Sequence, residues 1–231
     1  MNARVRSCLA VCVAAVCVAA VPAAAVSTSV EAPGAARGKQ PDDVPSFLDT
    51  TLAMIREYSR TVTTLTAAVT MKRQTAGLTQ PVQTECRVEY HAPGMLEMVV
   101  KGIYPYTVSV SGGVVRTVFA ASGDVDVRPL DEGERVLDDF LGIALLANQP
   151  EYDLRFSVEQ DTYVVQASMR PEAQERLAQD MRCNARRAAL RTLWVAAQNG
   201  RVTQTRVVTL SGDDTTLTFH EQWINTPAIG Y

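Results

Sequence analysis

One tract constrains the fold of this chain more than any other: the residues from Cys86 to Phe119, CRVEYHAPGMLEMVVKGIYPYTVSVSGGVVRTVF. Cys86, Val88 and Tyr90 alternate with Arg87 and Glu89, the period-2 signature of a strand with one buried face. His91-Ala92-Pro93-Gly94 breaks the alternation with turn chemistry. Leu96, Met98 and Val100 then form the buried face of a second strand. Gly102 to Pro105 breaks again, and Tyr106, Val108 and Val110 alternate with Thr107 and Ser109. Gly112-Gly113 is a strong hairpin signal, and Val114 to Phe119 returns as a fourth strand. Four short strands joined by tight turns read as an antiparallel meander.

The N-terminus is of another kind. Arg4 and Arg6 precede an uncharged apolar run from Ser7 to Val21, and Pro22-Ala23-Ala24-Ala25 supplies an A-x-A cleavage site. This pattern predicts a secretory signal peptide over 1–25 and is too short for a membrane span. A rival reading makes Cys17 or Cys12 a lipid-attachment cysteine, but each follows a valine (Val16, Val11) where a small residue is wanted. Export leaves Cys86 and Cys183 of the five cysteines. An even pair in an oxidising compartment is a disulfide candidate, and two buried free thiols are the alternative.

Residues 26–45, rich in Ala, Pro, Gly and Ser, read as a disordered linker, with a single domain over 46–231. Ser46 and Asp49 have capping-box spacing, and Phe47, Leu48, Leu52, Ile55 and Tyr58 make a broad helical stripe. Leu65, Ala67, Val69 and Met71 then alternate with Thr64, Thr66, Ala68 and Thr70 as a strand. After Phe119 the chain turns polar. From Asp131 a second helix begins whose Val136, Leu137, Phe140, Leu141, Ile143, Leu145 and Leu146 occupy nearly every side, so it should be buried on most faces. Tyr152 to Val158 and Tyr163 to Met169 read as a hairpin, and Pro171 opens a narrow-striped helix. Leu190 to Ala197, Val202 to Leu210 and Thr215 to Trp223 close the chain as three strands, with Asn199-Gly200 as the hairpin signal between the first two.

The fold expected is α+β: a curved antiparallel β-sheet forming an open half-barrel of about ten strands, with helices covering its apolar concave face. The net charge of −3 argues against nucleic-acid binding. His91 and His220 lack metal-ligand spacing, and no nucleophile elbow, P-loop or dinucleotide fingerprint is present. Asp138-Asp139 and Asp213-Asp214 read as solvated pairs. The sequence therefore offers no catalytic residue, no metal site and no cofactor site.

The order of elements, the tract from Val82 through Val115 and the tail from Arg206 to Asn225, with its FHEQWIN ending, resemble the LolA-like family of periplasmic lipoprotein carriers. The resemblance spans roughly Phe47 to Trp223. It implies an unclosed barrel whose helices lid a hydrophobic cavity for the acyl chains of lipoproteins, carried from inner to outer membrane by a monomer. The implied partners are an inner-membrane lipoprotein-releasing transporter and an outer-membrane acceptor. Two departures stand out. Ala92 occupies the place of an arginine that latches the lid in such carriers, and Glu172 to Arg186 reads as an insertion. The expected cavity lining is Phe47, Leu48, Leu52 and Ile55 of the first helix, Phe140 and Leu141 of the second, and Leu65, Val69, Met98, Val108 and Val118 of the sheet. A Cys86–Cys183 bridge would tie the insertion to the meander. The competing class is a lipid-sensing or structural periplasmic domain, or a lipid-anchored receptor, of the same fold. A true binding cavity should measure about 300–1,000 Å³.

Overall fold

The computed structural model describes residues 44–130, 135–146, 151–180 and 190–226. The signal peptide, most of the linker, the start of the second helix at Asp131, and Cys183 lie outside them. Helix α1 spans Val44–Thr61, two residues earlier than the sequence suggests, so Ser46 lies inside the helix instead of capping it. Six strands follow: β1 Thr64–Gln74, β2 Val82–His91, β3 Met95–Val100, β4 Tyr106–Ser111, β5 Val114–Phe119 and β6 Val125–Pro129. Two short helices come next, α2 Val136–Phe140 and α3 Ile143–Leu146. The hairpin β7 Tyr152–Glu159 and β8 Thr162–Met169, helix α4 Pro171–Asp180, and strands β9 Leu190–Gln198, β10 Arg201–Thr209 and β11 Asp214–Ile224 complete the order.

All eleven strands join one open antiparallel sheet in the order β6-β5-β4-β3-β2-β1-β11-β10-β9-β8-β7. Two meanders are thus spliced along the β1–β11 ladder, where Val69 faces Phe219 and Met71 faces Leu217. The alternation of β1 is as expected, with Leu65, Ala67, Val69 and Met71 buried. Cross-strand pairing keeps partners on one face, so Val88 opposite Met98, and Met98 opposite Val108, extend the same inner face through the first meander. Thr205, Val207, Leu193 and Val195 extend it through the second. Gly112 and Gly113 turn with φ of 58° and 73°, as the two-residue hairpin between β4 and β5 requires. On the outer face Arg206 lies 4.7 Å from the ring centre of Trp194 and forks onto Asp214.

The sheet order has a topological consequence. β6 and β7 are consecutive in the chain yet occupy opposite edges. Flat, eleven strands at about 4.8 Å spacing would be roughly 48 Å wide. The segment joining them has to cross a face of the sheet, and α2 and α3 lie in that segment. Val136, Leu137, Phe140, Leu141, Ile143 and Leu146 are all buried, so the crossing runs over apolar ground. Phe140 meets Phe219 edge-on with ring centres 6.0 Å apart, and the Thr205 hydroxyl donates to the Leu141 carbonyl at 3.2 Å. These contacts identify the inner face. α1 packs against β7 and β10 and touches α2 and α3.

Two expectations need correction. The second helix is not continuous. It breaks between Leu141 and Ile143 at Gly142, whose φ is +77° and whose Cα comes so close to the sheet that a Cβ would sit 3.0 Å from Leu193 Cδ1. The polar stretch after Phe119 contains a strand, β6, paired with β5 from Val114–Pro129 to Val118–Val125. It is an edge strand with Val125 and Val127 exposed, so it carries no buried-face alternation to read.

Gly142→Ala should destabilise the fold by about 1–3 kcal/mol, from the left-handed backbone and the crowding against Leu193. Urea unfolding followed by circular dichroism would measure it, and a neutral result would mean that the α2–α3 turn is free to move off β9.

Candidate functional site

Among the described residues, most of the expected lining residues converge on the inner face and the helices against it. Leu52, Ile55, Leu65, Val69, Met98, Val108, Phe140 and Leu141 are buried there, and Leu48 packs partly buried against them. Two of the named residues sit elsewhere. Phe47 is 59% exposed: buried positions on α1 begin one turn later, at Thr51 and Leu52, and the first turn overhangs. Val118 lies on the outer side of β5, because the inner positions are Val115 and Thr117, opposite Val110 and Val108. The buried threonine hid the correct phase of that strand.

The helices are fastened by polar bonds concentrated at one end. Arg135, just before α2, donates from Nη1 to the Ser59 carbonyl at 2.7 Å and from Nη2 to the Val62 carbonyl at 2.9 Å. Its Nη2 also reaches the Tyr90 hydroxyl at 3.2 Å. The Ser59 carbonyl, in the last turn of α1, also takes the Val62 N–H at 3.1 Å, and Val62 lies just past the helix, so the guanidinium sits at the negative end of the helix dipole and favours it. The Ser59 hydroxyl adds a short hydrogen bond to the Asp138 carboxylate. Nothing in the local sequence marks Arg135 for this role. It lies some 70 residues from the carbonyls it binds, and only the fold brings them together.

Between α1, the α2–α3 turn and the start of β1 the structure leaves a cavity of about 20 Å³, lined by Ile55, Val62, Leu65, Leu137, Leu141 and Ile143 among others. That is room for about one water, far below an acyl-chain site. An opening of about 410 Å³ lies beside it, lined by Tyr58, Asn199, Arg201, Phe219, Glu221 and Gln222 among others. The two share Tyr58, Arg201 and Gln222 as walls.

The aspartate pairs are structural, not solvated. Asp139 and Asp213 are buried; Asp213 accepts from the Ala76 N–H and the Ser211 hydroxyl, while Asp214 holds Arg206. His220 sits 3.1 Å from the Thr70 hydroxyl. Among the described residues no group of His, Cys, Asp and Glu is placed to hold a metal ion, and no helix is long and apolar enough to cross a membrane. Cys86 has no disulfide partner among the described residues. Burial, helped by the Glu85 charge, pushes its thiol up to about 12.

No protein-family model matches the chain, and comparison with the curated proteins finds no match. Solved structures do resemble it. It is similar to a LolA superfamily protein from Nitrosomonas europaea (8% identity, TM-score 0.38, covering 78% of this chain and 94% of that one). It is also similar to the lipoprotein LppX of Mycobacterium tuberculosis (15% identity, TM-score 0.40, 80% and 99%). A third likeness is to the MucA/MucB complex of Pseudomonas aeruginosa (10% identity, TM-score 0.45, 78% and 58%). These are likenesses of fold.

Arg135→Ala removes three hydrogen bonds, to the Ser59 and Val62 carbonyls and the Tyr90 hydroxyl, while Ser59 keeps the Val62 N–H and Tyr90 its contact with the Pro93 carbonyl, and should cost about 1–3 kcal/mol in chemical unfolding. Arg135→Lys, a point charge without the fork, should recover only part of that.

The reduced protein should also lose stability in alkali. The unfolded thiol ionises near 9 and the folded one near 12, so above pH 9 the folded state holds the extra proton. Stability should then fall by up to about 1.4 kcal/mol per pH unit until about pH 12. Cys86→Ala should flatten that slope, as urea midpoints measured from pH 8 to 11 would show.

Proposed function

We propose that this protein is a periplasmic carrier that holds the acyl chains of lipoproteins on the inner face of its sheet and moves them from inner to outer membrane. The donor would be an inner-membrane lipoprotein-releasing transporter and the recipient an outer-membrane acceptor. The observation that carries the reading is the occupant of the inner face. Among the described residues that face is met by α1 and by a broken crossing helix, not by a second sheet. The bonds that fasten the crossing segment to α1 gather near Arg135 and Asp138.

Magnitudes make an exchange reasonable. Burial of the six apolar side chains of α2, α3 and their turn is worth about 9–18 kcal/mol at 1.5–3 each. A fourteen-carbon chain returns about 11 kcal/mol at 0.8 per CH₂. One chain would therefore roughly balance the displaced helix, and two or three chains would exceed it. Such near-balance suits a protein that must both take up and release its cargo. In this reading the 20 Å³ interior is the unloaded form, and α2 with α3 is the lid that occupies the chain site.

The same small interior supports a second reading, a structural or lipid-sensing domain whose core is simply full. A double variant, Ser59→Cys with Asp138→Cys, distinguishes the two by locking α1 to α2. If the helices must separate, the oxidised variant should bind a fluorescent fatty-acid probe at least tenfold more weakly than its reduced form, and reductant should restore binding. A parent protein that binds no acyl probe, or an oxidised variant that binds as well as the reduced one, would sink the carrier reading with its moving lid.

A further inference from the structure

Buried polar atoms without a hydrogen-bond partner are uncommon, and each asks for a water, an ion or a ligand as its reason. Among the described residues these atoms are Arg56 Nε, Arg73 Nε, Arg73 Nη2 and Thr215 Oγ1. Three of the four belong to one place. Arg73 and Thr215 are direct partners across the β1–β11 ladder, so their side chains leave the same face of the sheet. That face is the inner one, since Arg73 continues the alternation of Leu65, Ala67, Val69 and Met71, and Thr215 continues that of Leu217 and Phe219. An unpaired cation and an unpaired hydroxyl therefore sit together at one end of the apolar wall, on the two strands that join the meanders.

The neighbouring acid does not complete the pair. Asp213 directs its carboxylate to the Ala76 N–H at 3.0 Å and the Ser211 hydroxyl at 2.8 Å. Burial pushes the Arg73 guanidinium down, and the field of Asp213 opposes it. The two free nitrogens are informative. Nε and Nη2 form one edge of the guanidinium plane, the edge whose parallel N–H bonds match two oxygens of an oxyanion. A carboxylate would place both its oxygens on that edge and have to share one of them with the Thr215 hydroxyl. A phosphate offers a third.

We propose that Arg73 and Thr215 form a binding site for a phosphate-type oxyanion, the headgroup of a phospholipid whose chains lie on the inner face, a ligand distinct from an acylated lipoprotein cysteine, which carries no phosphate. The placement of the chains rests on the carrier reading; the oxyanion site does not. Its two residues lie on the sheet itself, away from the Arg135 and Asp138 fastening, so lid movement would leave them in place.

Calorimetric titration of the full chain with dioctanoyl phosphatidic acid, dioctanoylglycerol and inorganic phosphate tests it. The phosphate-bearing lipid should bind at least tenfold more tightly than the neutral one. Arg73→Gln should abolish that preference and Thr215→Val should reduce it several-fold. Inorganic phosphate alone should raise Tm in the parent and not in Arg73→Gln. Removing an unpaired buried charge should leave Arg73→Gln at least as heat-stable as the parent, so lost binding could not be blamed on unfolding. If that variant fails to fold, Thr215→Val carries the same comparison. Equal binding of the two lipids, or a preference that survives Arg73→Gln, overturns the proposal while leaving the carrier reading standing. An Arg73-dependent phosphate shift with neither lipid bound would overturn the lipid-headgroup proposal in favour of a site for free phosphate.

Discussion

Pairing of the first strand with the last is the constraint on which this architecture depends. β1 and β11 meet at the centre of the sheet, and the seam is tied at one end by a single side chain. Asn225 Oδ1 accepts from the N–H groups of Thr63 and Thr64, at 2.7 and 3.2 Å, while its Nδ2 donates to the Thr61 carbonyl at 2.7 Å. Those bonds fix where α1 ends and β1 begins. With the termini of the sheet spliced in the middle, each meander must grow outward, and β6 and β7 finish at opposite edges. The crossing segment then has no route except over a face. A helical layer on the inner face is thus a product of connectivity before it is a product of hydrophobicity.

That order of causes explains the character of the inner face. Its middle rows are mostly apolar, with Leu65, Val69, Val88, Met98, Val108 and Val195 buried, as a surface must be if it is to lie under Leu137, Phe140 and Ile143. Toward the ends the chemistry changes. Arg135 and Tyr90 gather where α1 stops, and Arg73, Thr215 and Tyr106 lie where β1 runs out. The long central strand β1 passes from Leu65 beneath the helices to Arg73 beyond Met71, so one strand carries both the apolar wall and the unpaired guanidinium. Burial of that cation with two free donors is costly for stability alone, which is the physical reason for regarding it as functional.

Much of this was legible in the sequence, and what was hidden was hidden for identifiable reasons. Period-2 alternation gave the register of β1, β3 and β4, because Leu65 and Val108 have polar neighbours on both sides and Met98 follows Glu97 in step with Leu96 and Val100. The same rule misplaced Val118, since its strand puts Thr117 inside and valines on both faces. β6 was invisible because an edge strand with Val125 and Val127 in solvent has no buried face to advertise. The break at Gly142 was missed because helical spacing counts residues and does not register a positive φ. Arg73 is hidden because the apolar alternation of Leu65, Ala67, Val69 and Met71 stops before it, and a charge gives no sign that it continues the inward face. Arg135 had no local signal at all, its partners being set by tertiary structure.

A sheet whose face is occupied by a connecting segment can separate its own integrity from the identity of the occupant. The strand ladders are satisfied by backbone hydrogen bonds regardless of what lies above them. The inner face, by contrast, needs apolar cover but not any particular cover, because the hydrophobic effect is non-directional. Leu137 and Ile143 serve only the covered state supplied by the chain itself, whereas Leu193 and Val195 serve any cover. Substitutions in the first pair should therefore shift the balance between lid and ligand, and substitutions in the second should weaken both. What selects the ligand must then come from directional groups at the ends of the face, and on the inner side of β1 and β11 those groups are Arg73 and Thr215.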